Sequence, residues 1–120
     1  MSVRFGATCE PTPRTRWHFG EDETALAEHA RYEKNGGGVT HPVGQKKPNP
    51  WGLYDMHGNV AEWCADLYAP YGDKPAADAS LRVLRGGNWN ERSSNFRSAV
   101  RGKEQATTNN LYIGFRVVLR

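Results

Sequence analysis

Apolar residues along this chain come in short runs separated by turn formers, and the rhythm changes from run to run. Leu81-Arg82-Val83-Leu84-Arg85 predicts a strand, and Gly86-Gly87 after it predicts a bulge or sharp bend. Ile113-Gly114-Phe115-Arg116-Val117-Val118-Leu119-Arg120 predicts another, with Phe115, Val117 and Leu119 on one side and Arg116 and Arg120 on the other. Val60, Trp63, Cys64 and Leu67 fall at helical spacing, yet the same residues suit a strand with Trp63 and Ala65 on one face. Periodicity alone does not separate the two; the preceding Gly58-Asn59 and the aromatic content favour the strand. Arg14 to Gly20 alternates like a short strand ending in a glycine turn, and Pro11 and Pro13 exclude a helix before it. One short helix opens at Glu21-Asp22-Glu23-Thr24, whose acidic first turn suits the positive helix N-terminus. Leu26, Ala27 and Ala30 continue it toward Tyr32, and Asn35-Gly36-Gly37-Gly38 stops it. Residues 88–110 are polar, with Trp89, Phe96, Ala99 and Val100 as expected buried anchors.

Composition changes this picture in few ways. A chain of 120 residues makes one domain, residues 1–120, with one core. The mean hydropathy of -0.76 and 13 glycines point to a loop-rich fold, while four Trp and five Tyr spread along the chain argue against disorder. The net charge of +3 reads as a solvated surface, because the basic residues are dispersed singly; nucleic acid is not an expected partner. No run approaches the ~20 apolar residues of a membrane span, and the N-terminus lacks the apolar core of a signal peptide. The expectation is therefore a cytoplasmic protein without a membrane partner. Cys9 and Cys64 are too few for a disulfide framework and are expected as free thiols.

The stretch Lys47-Pro48-Asn49-Pro50-Trp51-Gly52-Leu53-Tyr54-Asp55-Met56-His57-Gly58-Asn59-Val60-Ala61-Glu62-Trp63-Cys64 carries the strongest signal, packing turn formers between bulky aromatics. With Thr40-His41-Pro42-Val43-Gly44 before it, it resembles the formylglycine-generating enzyme, or sulfatase-modifying factor, family. So do Arg82-Val83-Leu84-Arg85-Gly86-Gly87-Asn88-Trp89, Arg97-Ser98-Ala99-Val100-Arg101 and Gly114-Phe115-Arg116-Val117-Val118. The resemblance implies an α+β, loop-rich, C-type-lectin-like fold in a compact version, with one clear short helix and a twisted antiparallel sheet.

Two departures from the family pattern shape the functional expectation. The family's copper oxidases place two cysteines five residues apart around the Arg-Ser-Ala-x-Arg-like block, and paired thiolates suit soft Cu(I). At that spacing this chain has Ser93 and Ser98, so neither copper nor formylglycine-generating activity is expected. The Asn that usually precedes the Leu-Gly-Phe-Arg-like strand, near the substrate site, is replaced by Tyr112. Secondly, family members carry a strand and helices ahead of the block that begins here near Cys9. Either the fold is a stripped-down one, or another chain covers the surface those elements would cover, since a bare apolar surface favours association. A homodimer is the expectation, and a monodisperse monomer in solution would count against it.

The resemblance also implies a Ca²⁺ site in the central turn. Carried over by position, its ligands are the Asp55 side chain, the Gly58 and Val60 carbonyls and the Glu62 side chain. The chemistry is sound, since Ca²⁺ takes ~6–8 oxygens from carboxylates and carbonyls together. The alternative is that Glu62 caps the loop's own amides without metal. His57 reads as a turn residue bonding its own loop and His41 as a packed loop residue, while His18 and His29 offer no constellation. Arg97, Arg101 and Arg116 are expected to hydrogen-bond loop carbonyls inside the fold, with Glu62 or Asp66 pairing one of them.

Residues 88–96 and 102–112 mix Asn, Ser, Arg, Tyr and Trp, a composition suited to adaptable recognition. They also resemble the diversified region of retroelement-varied lectin-fold proteins. Asn88, Trp89, Asn90, Arg92, Ser94, Asn95, Lys103, Glu104 and Tyr112 are the candidate contacts for a protein or small-molecule ligand. The leading expectation is a non-catalytic, calcium-stabilised binding module. The alternative is a diverged oxidase, or an accessory part of one completed by another chain.

Overall fold

In the computed structural model, residues 15–117 are described, apart from the Phe96 side chain. The helical segment forms for the expected reason and stops sooner than expected. Asp22 caps it, its carboxylate accepting from the Thr24 amide (2.9 Å) and hydroxyl (2.7 Å). A 3-10 turn at Glu23–Ala25 then runs into helix α1, Leu26–His29. Ala30 is already extended. Asn35 explains the early stop: its side chain accepts from the Tyr32 amide (2.9 Å) and donates to the Ala30 carbonyl (2.9 Å), taking groups a longer helix would use. Leu26, Ala30 and Tyr32 bury themselves against Trp17, with Phe19 and Ala27 packed alongside.

Four strands make one sheet: β1 (Ala61–Leu67), β2 (Leu81–Arg85), β3 (Gly102–Gln105) and β4 (Ile113–Gly114), in the order β3-β2-β1-β4. Residues 61–67 are thus a strand, not a helix. β1 and β2 are antiparallel, with Glu62 opposite Arg85 and a bulge between Trp63 and Leu67. β2 and β3 are also antiparallel, but β4 lies parallel to β1, pairing Ala61 with Ile113. The sheet is therefore mixed at that edge, which the expected antiparallel sheet did not include. A second small core of Met56, Cys64 and Val83, flanked by Tyr68, lies against the sheet. Burial pushes the Cys64 thiol up to about 11, so it is inert at neutral pH; Cys9, Pro11 and Pro13 lie outside the described residues.

Three expectations need correction. Residues 15–20 form no strand; Trp17 and Gly20 exchange two 3.2 Å backbone bonds in a tight turn, because Gly20 takes a positive φ of 126°. Trp89, Ala99 and Val100 are not buried anchors; among the described side chains of that region the buried ones are Asn88 and Ser98, each tied by hydrogen bonds. Finally, β4 is two residues long, and Phe115 and Val117 beyond it are 77% and 73% exposed. Arg116 anchors that segment instead, by its side chain; residues 118–120 lie outside the description.

Candidate functional site

Asn59, in the left-handed region at φ 65°, joins the loops that shape the site. Its amide donates to the Arg31 carbonyl (2.8 Å) and its carbonyl accepts from the Trp89 amide (2.8 Å). Its side chain bonds both backbone groups of His41 (2.9 and 3.1 Å). His41 is packed as expected, its Nε2 sitting 2.6 Å from the Gly36 carbonyl oxygen. Next to Asn59, the Gly58 amide donates to the Gly86 carbonyl (2.7 Å), tying the central turn to the Gly86-Gly87 bend. The sequence reading did not single out Asn59; its place between a glycine and an apolar run was the signal.

A cavity of about 380 Å³ opens on one side of this junction. Asp55, Gly58, Val60 and Glu62 all line it, together with Val43, Gly44, Gly52, Leu53, Tyr54, Asn59, Phe115 and Arg116. The two carboxylates are buried and differently engaged. Asp55 accepts from the Gly44 amide (2.8 Å). Glu62 takes a two-point pair from Arg116, Nε to Oε2 and Nη2 to Oε1, both at 3.0 Å, and Nη2 also donates to the Tyr54 carbonyl (2.7 Å). Burial raises the Glu62 pKa, Arg116 opposes the shift, and the Asp55 charge adds to it. So the two carboxylates feel each other's charge across the cavity. The residue types suit a hard cation: two carboxylates line one space, and the Gly58 and Val60 backbone lines it with them, so oxygen is the ligand on offer. Arg116 already supplies one positive charge to Glu62, and each Glu62 oxygen retains a lone pair.

A second cavity, of about 400 Å³, lies beside the Gly86-Gly87 bend. Of the candidate contacts, Asn88, Asn95, Glu104 and Tyr112 line it. Trp89 stands next to it, stacked on Tyr112 at 5.2 Å. Asn90 bonds back to Asn88, Arg92 faces Glu33 at 3.9 Å, and Ser94 is exposed. Lys103 points to the Tyr68 ring, 4.8 Å from its centroid, while its neighbour Glu104 faces the cavity, as alternation along β3 requires. The structure adds Arg85, Glu91, Val100 and Asn110 to the lining. Burial raises the Glu91 pKa against the pull of its Asn88 hydrogen bonds. Arg85 spends Nη1 on the Ser98 carbonyl at 2.9 Å, with the Val100 carbonyl at 3.5 Å. Among the described residues neither Glu91 nor Glu104 has an ion-pair partner. Glu91 was missed because it reads in sequence as one more polar loop residue.

Ser93 and Ser98 have separate surroundings. The Ser93 hydroxyl donates to Glu23 (2.8 Å), whereas Ser98 is buried, with its amide on the Arg16 carbonyl (2.7 Å). Arg97, Arg101 and Arg116 bond the Ser94, Ala69 and Tyr54 carbonyls, as expected of side chains with many donors, though Arg97 does so at the surface and not inside the fold.

Comparison with known proteins places this architecture. The serine/threonine-protein kinase pkn1 of Chlamydia pneumoniae is 40% identical over 79 residues, covering 58% of this chain and 13% of the kinase. The formylglycine-generating enzyme of Streptomyces coelicolor is 31% identical over 124 residues, covering 94% of this chain and 39% of that enzyme. Among solved structures, Treponema denticola variable protein 1 superposes with a TM-score of 0.78 at 37% identity, over 88% of this chain and 40% of that one. The chain thus spans less than half the length of each. The sulfatase-modifying factor enzyme 1-like domain model matches residues 7–120, and with these neighbours of like fold it shows that the chain belongs to the sulfatase-modifying factor family.

Proposed function

We propose that this domain is a non-catalytic binding module whose ligand enters the cavity beside the Gly86-Gly87 bend. The supporting observation is the chemistry of that cavity: three Asn side chains, Tyr112 and two carboxylates without a described cation partner. A carboxylate held partly out of water favours a partner bringing positive charge. The ligand class is therefore a small molecule or protein side chain bearing an ammonium or guanidinium group. Ser93 and Ser98, where the family's oxidases carry thiolates, offer neutral hydroxyls that are poor Cu(I) ligands, and that of Ser93 donates to Glu23. Titration with L-arginine amide, followed by backbone NMR, tests the reading. Saturable shifts at Asn88, Glu91 and Asn110 are expected, weakened about tenfold in Glu91→Gln. Shifts that are absent, or unchanged in that variant, would remove the site. Stoichiometric Cu(I) binding would instead favour the diverged-oxidase reading.

Calcium belongs to the same proposal. Asp55, Glu62 and the Gly58 and Val60 carbonyls would hold it, and its charge would relieve the repulsion between the two carboxylates. A ligand that binds only the folded state stabilises it by about 2.7 kcal/mol at ~100-fold excess over Kd. A thermal melt with added calcium should therefore rise relative to one with chelator, and the rise should vanish in Asp55→Asn. A cooperative melt that calcium leaves unmoved would mean that Arg116 alone neutralises the turn.

A further inference from the structure

We propose that His18 and His29, packed against the His57 ring, form a proton-sensitive joint that loosens the turn at residues 17–20 and helix α1 from the central turn when the pH falls below neutral. Three separate parts of the chain bring these rings together. His18 stacks on His57, with centroids 5.2 Å apart and planes 6° from parallel. The edge of His29 meets His18 at 4.9 Å. Phe19 closes the group, stacked on His29 at 4.3 Å and edge-on to His57 at 6.2 Å. His57 is 2% exposed, and both nitrogens of His18 and the Nδ1 of His29 are buried without a hydrogen-bond partner among the described residues. No group of three His, Cys, Asp or Glu side chains among those residues is arranged to hold a metal ion. The chemistry left to the cluster is protonation.

Protonation fits this packing poorly. A neutral imidazole carries one donor and one acceptor; the imidazolium carries two donors. A proton added to His18 or His29 would thus place a charge and a further N–H where the described residues offer no acceptor, within about 5 Å of the other ring, which also takes up protons. The charged groups around the cluster do not offset this. Glu28, next to His29, is committed to the Lys47 ammonium, and Lys47 sets its positive charge against that of His29 while hydrogen-bonding it through the backbone. The charge that acts on His18 is that of His29 itself. Burial first, and then His29, lower the His18 pKa from 6.5 to about 4, and burial lowers that of His29. The sign follows. The opened form binds protons near pH 6.5 and the closed form only nearer pH 4, so the closed state is favoured fully above pH 6.5 and loses ground as the pH falls toward 4.

The joint reaches both cavities. His57 precedes Gly58, whose amide bonds Gly86 and whose backbone bridges Arg31 just after α1. Opening at the histidines therefore slackens the turn that carries Asp55 and the bend that borders the second cavity.

Hydrogen exchange from pH 7 to pH 5, corrected for the intrinsic rate, tests the proposal on the intact chain. Amides of residues 17–32 and 56–60 should show an opening equilibrium that rises about 20-fold for one such histidine, while those of β1 and β2 lag. In His18→Phe/His29→Phe, whose rings preserve the stacking, the rise should disappear. Buried Glu62 and Glu91, with raised pKa values, respond in the opposite sense, so the difference between parent and variant is the decisive quantity. A variant with the parent's pH dependence overturns the proposal. If the double variant fails to fold, ring-carbon NMR of the parent decides. His18 still neutral at pH 5.5 in the closed state upholds the joint, and ordinary titration near 6.5 without any gain in exchange overturns it.

Discussion

Gly58→Ala should lower stability by about 4 kcal/mol and the melting temperature by on the order of 15–20 °C. Two costs combine at this position. Gly58 sits at φ 77°, where an L side chain loses roughly 1–2 kcal/mol. A Cβ there would also land on the Arg31 carbonyl oxygen and within 2.9 Å of its carbon, and both are backbone that cannot rotate away. Relief would require parting the Arg31–Gly58 bridge, and with it the Asn59-to-Arg31 bond. Gly52 provides the control. Its φ is 76°, almost the same, but a Cβ there meets nothing within 4 Å. Gly52→Ala should therefore cost only about 1 kcal/mol. Equal losses in denaturant melts of the two variants would show that the close approach at Gly58 contributes nothing.

Arg116→Ala should cost about 3 kcal/mol at pH 7, because it strands a buried carboxylate rather than merely deleting a surface charge. Glu62 is 6% exposed, and both of its oxygens receive Arg116 donors at 3.0 Å. The exposed pairs, such as Lys34 with Glu23, are screened by solvent and contribute far less by comparison. The pH dependence distinguishes the mechanism. Glu62 already has a raised pKa with Arg116 opposing the rise, so losing Arg116 raises it further. A carboxyl whose folded pKa exceeds its unfolded value favours the fold below the unfolded value near 4.5, and that contribution is lost as pH rises through the folded one. The deficit of Arg116→Ala relative to parent should thus shrink between pH 7 and pH 5. A deficit constant over that range would assign the loss to packing of the arginine stem instead. Calcium, if it binds at Asp55 and Glu62, should also recover part of the deficit, since it supplies the missing charge.

Much of the local structure was legible in the chain. The acidic residues before Leu26 announced the helix start, and the alternation of residues 81–85 announced β2. Residues 61–67 became a strand for a reason periodicity could not supply: pairing on both edges, with β2 and β4. β3 escaped notice because Gly102-Lys103-Glu104-Gln105 has no apolar pattern at all; it is a strand only because β2 offers it a ladder. The terminal strand was overread in turn, since Phe115 and Val117 alternate correctly yet face outward beyond a two-residue pairing.

The order of residue types alone determined the family, the turn chemistry of residues 49–59 and the pairing of deep arginines with loop carbonyls. These follow from short-range constraints: which residues tolerate positive φ, which cap, and which bring many donors to one place. Tertiary structure decided what distant segments share. It set Arg116 against Glu62 and Glu91 beside Glu104, and it stacked His18 on His57 with His29 at its edge. Charge and burial act through space, over a few ångströms, whereas these partners are separated by eleven to more than fifty residues of chain. Their chemistry exists only once the loops close around Asn59.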